Sequence, residues 1–271
     1  MHLLASCLAK RQRREVLPPL PPIHRSTPIP PSEGDHGRHL ELSLAGAFEL
    51  FEGAVPVVLG RTSQRLIAFV TLQRRPISRS ATAYALWPDA SEAQAHASLR
   101  SAIWRLEELA RAAMQIDALE LDLAEAVSVD VHEAEALAHR LLIFDTMPSE
   151  EDMTSEAIAA LSSDLLPNWY EDWAMIKAED WRQLRLHALE ALAEKLTAVD
   201  RFGDAIQAAR AAMSADPLRE SPHAMLIHIH LAEGNQSEAL REFRDYRSQL
   251  RQELDVEPTP TLFALVQDLP R

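Results

Sequence analysis

Residues 91–114 read SEAQAHASLRSAIWRLEELARAAM, and the period of this stretch decides how the first half of the chain folds. On a helical wheel at about 100° per residue, Leu99, Ala102, Ile103, Leu106, Leu109, Ala110 and Ala113 share one face, which must meet a core. Arg100, Trp104, Glu107 and Arg111 fall on one flank of that face, and Ser98, Ser101 and Arg105 on the other. Ser91 with Glu92 starts the helix, because a short polar side chain can accept from the free N–H groups of the first turn. The pattern predicts one unbroken helix to about Met114, in which Glu107 pairs with Arg111 one turn on.

Working outward, the segments before this helix change period. His39 to Leu44, Ala47 to Phe51 and Val55 to Leu59 are short apolar runs punctuated by Gly46 and Glu52-Gly53, the signature of strands joined by tight turns. Gln64 to Gln73 then spaces Leu66, Ile67, Val70 and Leu72 as a helix does. Pro76 stops that helix, Ser78 caps a second one running to Leu86, and Trp87-Pro88-Asp89 breaks the chain again, with Trp87 a core side chain. After the third helix, Leu119 to Leu123 and Val127 to Val131 predict a hairpin, a short segment made acidic by Asp117, Glu120, Asp122 and Glu125. The order is three strands, three helices and a hairpin.

From about residue 131 the chain reads as helix throughout. Asp204-Ala205-Ile206 matches Glu238-Ala239-Leu240 at an offset of 34, and the same offset relates Leu192 to Leu226 and Ala209 to Phe243. Thirty-four residues is the period of tetratricopeptide helix pairs, which cross through small residues such as Ala205 and Ala239. Pro217 falls where a pair would end. Residues 145–271 carry 12 basic and 24 acidic side chains, so most of the chain's net charge of −14 lies in this half.

Composition excludes several classes of function. Only seven glycines occur in 271 residues, and no GxGxxG, GxxxxGK[ST] or GxSxG is present, so phosphate-cradling loops and hydrolase elbows are not expected. The single cysteine, Cys7, can close no internal disulfide, which suits a reducing cytoplasm. No apolar run approaches the roughly 20 residues of a spanning helix, and Lys10, Arg11, Arg13 and Arg14 follow the first apolar residues where a signal peptide would put them before. A cytoplasmic protein without membrane contact is expected. Residues 1–37 hold seven of the 17 prolines and predict a disordered tail. His228 and His230, two apart on a helix, face different sides and cannot easily share an ion, and Trp169, Trp173 and Trp181 are spaced as a packing stripe. Carboxylates abound, but none has a poised histidine or nucleophile beside it, so neither catalysis, nor a cofactor, nor a metal is expected.

Two groups of motifs carry a resemblance. Residues about 40 to 131, through LAGAFELFEGAVPVVLG (44–60), ALWPDASEAQAHASLRSAIWRLEEL (85–109) and VSVDV (127–131), resemble the OmpR-type winged helix of SARP transcriptional activators. Residues about 165 to 262 resemble the bacterial transcriptional activator domain that follows it in that family, through LLPNWYEDW (165–173), LRLHALEALAEKL (184–196), the run from Ala205 to Phe243 and ELDVEPTP (253–260). The resemblance implies a mainly α fold with a small β component. A winged helix-turn-helix at 38–131 would be followed by an all-α tetratricopeptide-like domain at 132–271.

It also implies a partner, double-stranded DNA, bound at promoter direct repeats with the third helix in the major groove. The helical domain would support a homodimer and contact RNA polymerase. Local charge agrees: between Arg61 and Arg111 lie eight arginines (Arg61, Arg65, Arg74, Arg75, Arg79, Arg100, Arg105 and Arg111) against four acids. The candidate DNA-binding residues are Arg61, Arg65, Arg79, Ser98, Arg100, Ser101, Arg105 and Arg111, while Trp104 reads as a packing residue. Two departures from the family pattern pull the other way. Glu107 stands where an arginine is usual, and the wing is short and acidic. The competing reading is a protein-interaction module whose winged helix has weak or no DNA affinity and whose helical groove holds a protein partner.

Overall fold

The computed structural model describes residues 39–143, 146–267 and 269, so the proline-rich tail expected at residues 1–37 lies outside the described residues. The described chain begins with strands β1 (Leu40–Ser43), β2 (Glu49–Glu52) and β3 (Val55–Val57), followed by helix α1 (Arg61–Thr71). Alternation places Leu40 and Leu42 of β1 inward while Glu41 faces solvent, as a half-buried strand requires. Next come β4 (Ile77–Ser78), α2 (Arg79–Leu86), α3 (Glu92–Trp104), α4 (Glu108–Ala112), β5 (Met114–Ile116), β6 (Glu120–Leu123) and β7 (Val127–Val129). Ser78 caps α2 as expected, its hydroxyl accepting from the N–H of Ala81 at 3.2 Å.

Two local expectations are corrected. The third helix is not continuous to Met114: it ends at Trp104, turns over Arg105–Glu107 and restarts as α4. No glycine or proline marks the break, because tertiary contacts make it. The Glu107 carboxylate accepts from Gly60 N–H (3.0 Å) and from the Ser63 hydroxyl (2.6 Å) on α1, and it does not pair with Arg111. Arg111 instead donates to the Ile103 carbonyl at the end of α3, which also accepts from the Leu106 N–H (3.4 Å).

The hairpin also lies one segment earlier than predicted. β5 and β6 pair antiparallel around Asp117, whose Oδ1 accepts from the N–H groups of Leu119 (2.8 Å) and Glu120 (2.7 Å). β7 leaves this ribbon and pairs in parallel with β1, giving a sheet of order β3-β2-β1-β7, while β4-β6-β5 form a second sheet. The parallel pairing buries Val127 and Val129, which a protruding hairpin would expose.

Eight further helical segments follow: α5 (Asp130–Leu141), a 3₁₀ turn at Glu150–Met153, α6 (Ser155–Ser162), α7 (Asp172–Ala198), α8 (Phe202–Ala215), α9 (Glu220–Ala232), α10 (Gln236–Leu254) and α11 (Pro260–Val266). α7 with α8, and α9 with α10, are the two pairs that the 34-residue offset anticipates. Ala205 and Ala239 are fully buried at the crossings, and Pro217 lies in the turn after α8. One continuous apolar core runs from Leu40 in β1 to Ile229 in α9, and a second cluster around Phe243, Tyr246 and Leu262 closes the far end. The protein is therefore mainly α with a small β component, a winged-helix region followed by a helical-repeat region. Among the described residues no helix is long and apolar enough to cross a membrane.

His132 ties the start of α5 to the end of α1: its neutral ring donates through Nε2 to the Thr71 carbonyl, 3.1 Å away. Burial, with the nearby charge of Arg74, lowers its pKa from 6.5 to about 4. An unfolded chain with an ordinary histidine therefore binds more protons between these values. Stability is fully present above about pH 6.5 and is lost as the pH falls toward 4. Urea unfolding of wild type and His132→Gln across this window should show the wild type losing about 1–3 kcal/mol more than the variant. Equal slopes would remove His132 as the acid-sensitive group.

Candidate nucleic-acid interface

Helix α3 is fixed at both ends. At its start the Gln94 side chain accepts from the N–H of Ser91 (3.1 Å) and from its hydroxyl (2.9 Å), closing a capping box. At its end Arg105 is the C-cap, and the Arg111 guanidinium takes up the Ile103 carbonyl. Ala95, Leu99, Ala102 and Ile103 are buried, which turns Gln94, Ala97, Arg100, Ser101, Trp104 and Arg105 to solvent with Ser98 at the margin. A depression of about 400 Å³ runs along the Ser98, Ser101 and Arg105 flank, closed on its far side by Thr62 and Ser63 of α1 and by Trp87. Trp87 is half-buried against the core, in line with the sequence reading. Trp104 does not pack against α2 as one reading of the sequence expects, since 80% of it is exposed.

The structure sorts the arginines that the sequence leaves undivided. Arg100 and Arg105 are exposed and hold no ion pair or hydrogen bond among the described residues, so their charge is available to a partner. Arg79, at the start of α2, donates to the Asp117 carbonyl (3.2 Å) and so braces the turn of the β5–β6 wing. Arg111 is exposed but is held to the end of α3. Arg61 and Arg65 are engaged within the chain. The Arg61 guanidinium lies over the Trp169 ring, 4.0 Å from its centroid, and 3.3 Å from the Glu171 carboxylate. Arg65 Nε lies 3.0 Å from the same carboxylate while its Nη2 donates to the Leu86 carbonyl (2.9 Å). These two side chains join the winged-helix region to the segment before α7, so the arginine cluster of the sequence is two clusters in space.

The acids that weigh against a DNA surface are partly spent elsewhere. Burial raises the pKa of Glu107, but the hydrogen bonds from Ser63 and Gly60 together outweigh it and hold the carboxyl below its ordinary value. Its charge faces the first turn of α1, where a helix N-terminus favours an anion. At the wing, the Asp117 carboxyl is held below the carboxylate range by the backbone N–H groups of Glu120 and Leu119, with Arg79 adding to the effect. Leu119, at the tip beside it, is largely exposed.

Joining the two regions is a seam that sequence reading missed. The isolated bridge of Ala45 to Leu165 is flanked by Gly46 N–H to the Asp164 carbonyl (2.7 Å) and Leu166 N–H to the Leu44 carbonyl (3.0 Å). Phe48 stacks on Trp169, and Trp173 meets both Trp169 and Phe69 edge-on. The predicted tryptophan stripe is thereby corrected. Trp169 precedes α7, so helical spacing does not relate it to the others, and Trp181 turns to donate its indole N–H to the Ser163 carbonyl (2.9 Å). The signal available in the sequence was the density of aromatic residues in LLPNWYEDW, which is more than a helix start needs. Of the histidines, His223 donates through Nε2 to the Pro217 carbonyl (3.0 Å), lies 2.6 Å from Glu242 through Nδ1 and stacks on Tyr246, while His228 faces solvent.

Comparison with known proteins agrees with this architecture. The family described as the bacterial transcriptional activator domain matches residues 130–269, more than half of the chain, starting at the first residue of α5. The regulatory protein AfsR of Streptomyces griseus is 26% identical over an alignment of 262 residues, and the match covers 90% of this chain and 26% of AfsR. The chain thus spans about a quarter of the length of that curated relative. Among solved structures, Mycobacterium tuberculosis EmbR, in complex with a low-affinity phosphopeptide, superposes with a TM-score of 0.61 at 22% identity. That match covers 84% of this chain and 64% of EmbR, and it shows a shared fold.

If packing rather than charge holds the seam, the two substitutions that weaken it should differ in size. Trp169→Ala, at a site only 7% exposed, is expected to cost about 3–5 kcal/mol in urea unfolding. Glu171→Ala, which removes a pair at the surface, should cost about 1 kcal/mol or less. The reverse order would make the ion pairs the fastening.

Proposed function

The chain belongs to the bacterial transcriptional activator domain family and is a transcriptional regulator of the SARP type, not an enzyme, and from that premise we propose that it binds double-stranded DNA through α3 at direct repeats near promoters. One observation carries this reading: the outward face of α3 has two unpaired arginines and two serines and bears no carboxylate, in a protein whose net charge is −14. A helix of this kind fits the B-DNA major groove. Arg105, Ser98, Ser101 and Thr62, around the shallow depression, would grip one phosphate rail, and Arg100 the other. Arg79 and Arg111, each anchored on a backbone carbonyl yet bearing charge, would add to the local field without moving far. Arg61 and Arg65 are left out of the DNA set, because Glu171 and Trp169 occupy them.

The inward turn of Glu107 supports the same reading, since it removes an acid that the sequence places beside the recognition face. The helical domain would then act as the activating half, pairing with a second copy on the direct repeat and presenting its acidic surface to a basic patch of RNA polymerase. The same acidity would keep this half off the DNA. A second reading, a protein-interaction module, draws on a depression of about 420 Å³ beside the exposed Tyr170 and Met175, bordered by Glu179 and Arg182.

Selection of sheared genomic DNA by the full chain over a salt series separates the two. The regulator reading expects a repeated sequence to be enriched, with affinity falling steeply as salt rises. Arg105→Ala and Arg100→Ala, each removing one phosphate contact, should each weaken binding about equally across sequences at unchanged thermal stability and lower the salt slope by about one. Arg61→Ala should leave that slope unaltered. If nothing is enriched even at low salt, the DNA reading falls and the second reading stands.

A further inference from the structure

The two flanks that the sequence separates are one surface in the folded protein, and Trp104 stands near its middle. At about 100° per residue, Trp104 lies about 40° from Arg100 on one side and about 60° from Ser101 on the other, with Ala97 nearly in line one turn pair earlier. Buried Leu99, Ala102 and Ile103 lie on the opposite side of the helix. Because α3 ends at Trp104 rather than continuing, the indole projects from the last helical residue and no later turn of the same helix covers it. It is 80% exposed, and no ring contact or hydrogen bond holds it among the described residues.

Resting on the proposed binding of α3 in the major groove, we propose that Trp104 is a specificity-determining residue that reads a thymine. A side chain at the centre of the outward face meets the groove floor, while longer arginines on the flanks reach past it to the phosphates. Indole offers a broad apolar ring and one N–H donor, and it has no acceptor. It therefore gains nothing from the exocyclic amino donors of adenine or cytosine. Thymine is the one base whose major-groove edge sets an apolar group, the C5 methyl, beside an acceptor, O4. The ring would pack on the methyl and the N–H would meet O4, so an A·T pair is expected opposite the end of α3. The flanking charges suit this occupant: Arg100 and Arg105 are unpaired, and the Glu107 carboxylate is bonded to α1.

The test uses the full chain and a duplex pool randomised over about three turns of DNA. Wild type, Trp104→Ala and Trp104→Phe are each carried through selection and sequencing, with melting curves to show that this exposed substitution leaves the fold intact. Wild type should enrich a motif with a fixed A·T pair. Trp104→Ala should keep the rest of that motif and lose the preference at this position, binding the wild-type site several-fold more weakly. Replacing that single dT by dU removes only the methyl. It should weaken wild type and Trp104→Phe about fourfold and leave Trp104→Ala unaffected. An unchanged motif for Trp104→Ala, or an equal dU penalty in all three proteins, overturns the proposal while leaving DNA binding in place. If wild type enriches no motif at all, the parent reading fails and this one with it.

Discussion

Leu44–Gly46, the three residues that follow the first strand, are gripped from two directions, and the relation between the halves of the protein depends on that grip. From one side the Asp130 carboxylate, at the start of α5, accepts from the Leu44 N–H (2.9 Å), the Ala45 N–H (3.1 Å) and the Ser43 hydroxyl (2.6 Å). On the other, the Asp164–Leu166 backbone pairs with the same residues. Gly46 has a φ of +86°, a left-handed conformation that side chains rarely adopt, which lets its N–H reach the Asp164 carbonyl. A segment with all three of its N–H groups so engaged has one register, because a shift would leave backbone donors without partners. The aromatic cluster of Phe48, Phe69, Trp169 and Trp173 then packs beside a hinge that is already fixed.

The consequence reaches the recognition face through α1. Arg61 and Arg65 on that helix are drawn to Trp169 and Glu171, and Ser63 with Gly60 holds Glu107. One short helix therefore faces the helical domain with two of its side chains and sets the end of α3 with the Ser63 hydroxyl and the N–H of its capping residue Gly60. A change at the seam would be felt at the end of α3 because α1 is rigid and packed, its residues from Leu66 to Thr71 buried without interruption. Charge is also partitioned by this arrangement. Arginines near the seam are neutralised within the chain, and Arg100 and Arg105 are not.

What was legible beforehand came from periodicity and caps. Strand and helix alternation in residues 39–104, the Ser78 cap and the 34-residue offset are local properties, each repeated over enough residues to overcome noise. Two failures share one cause. The pattern of residues 105–114 is as helical as that before it, yet the chain breaks there because Glu107 finds two donors on α1, 44 and 47 residues away in sequence. Val127–Val129 looks like half of a hairpin and is instead a parallel neighbour of β1, some 87 residues distant. Neither contact leaves a trace in its own segment, since apolar residues mark burial and do not say against what.

By itself, then, the amino-acid sequence determined the element types, the inward faces, the helical repeat and the region of positive charge around α3, because each of these depends on neighbours within one or two turns. Long-range contacts settle which arginines remain free, where α3 stops and that Trp104 stands uncovered. Those outcomes depend on competition: a guanidinium goes to whichever acceptor the fold brings within reach, and a helix ends where a long-range partner offers its backbone and side chains more than another turn would.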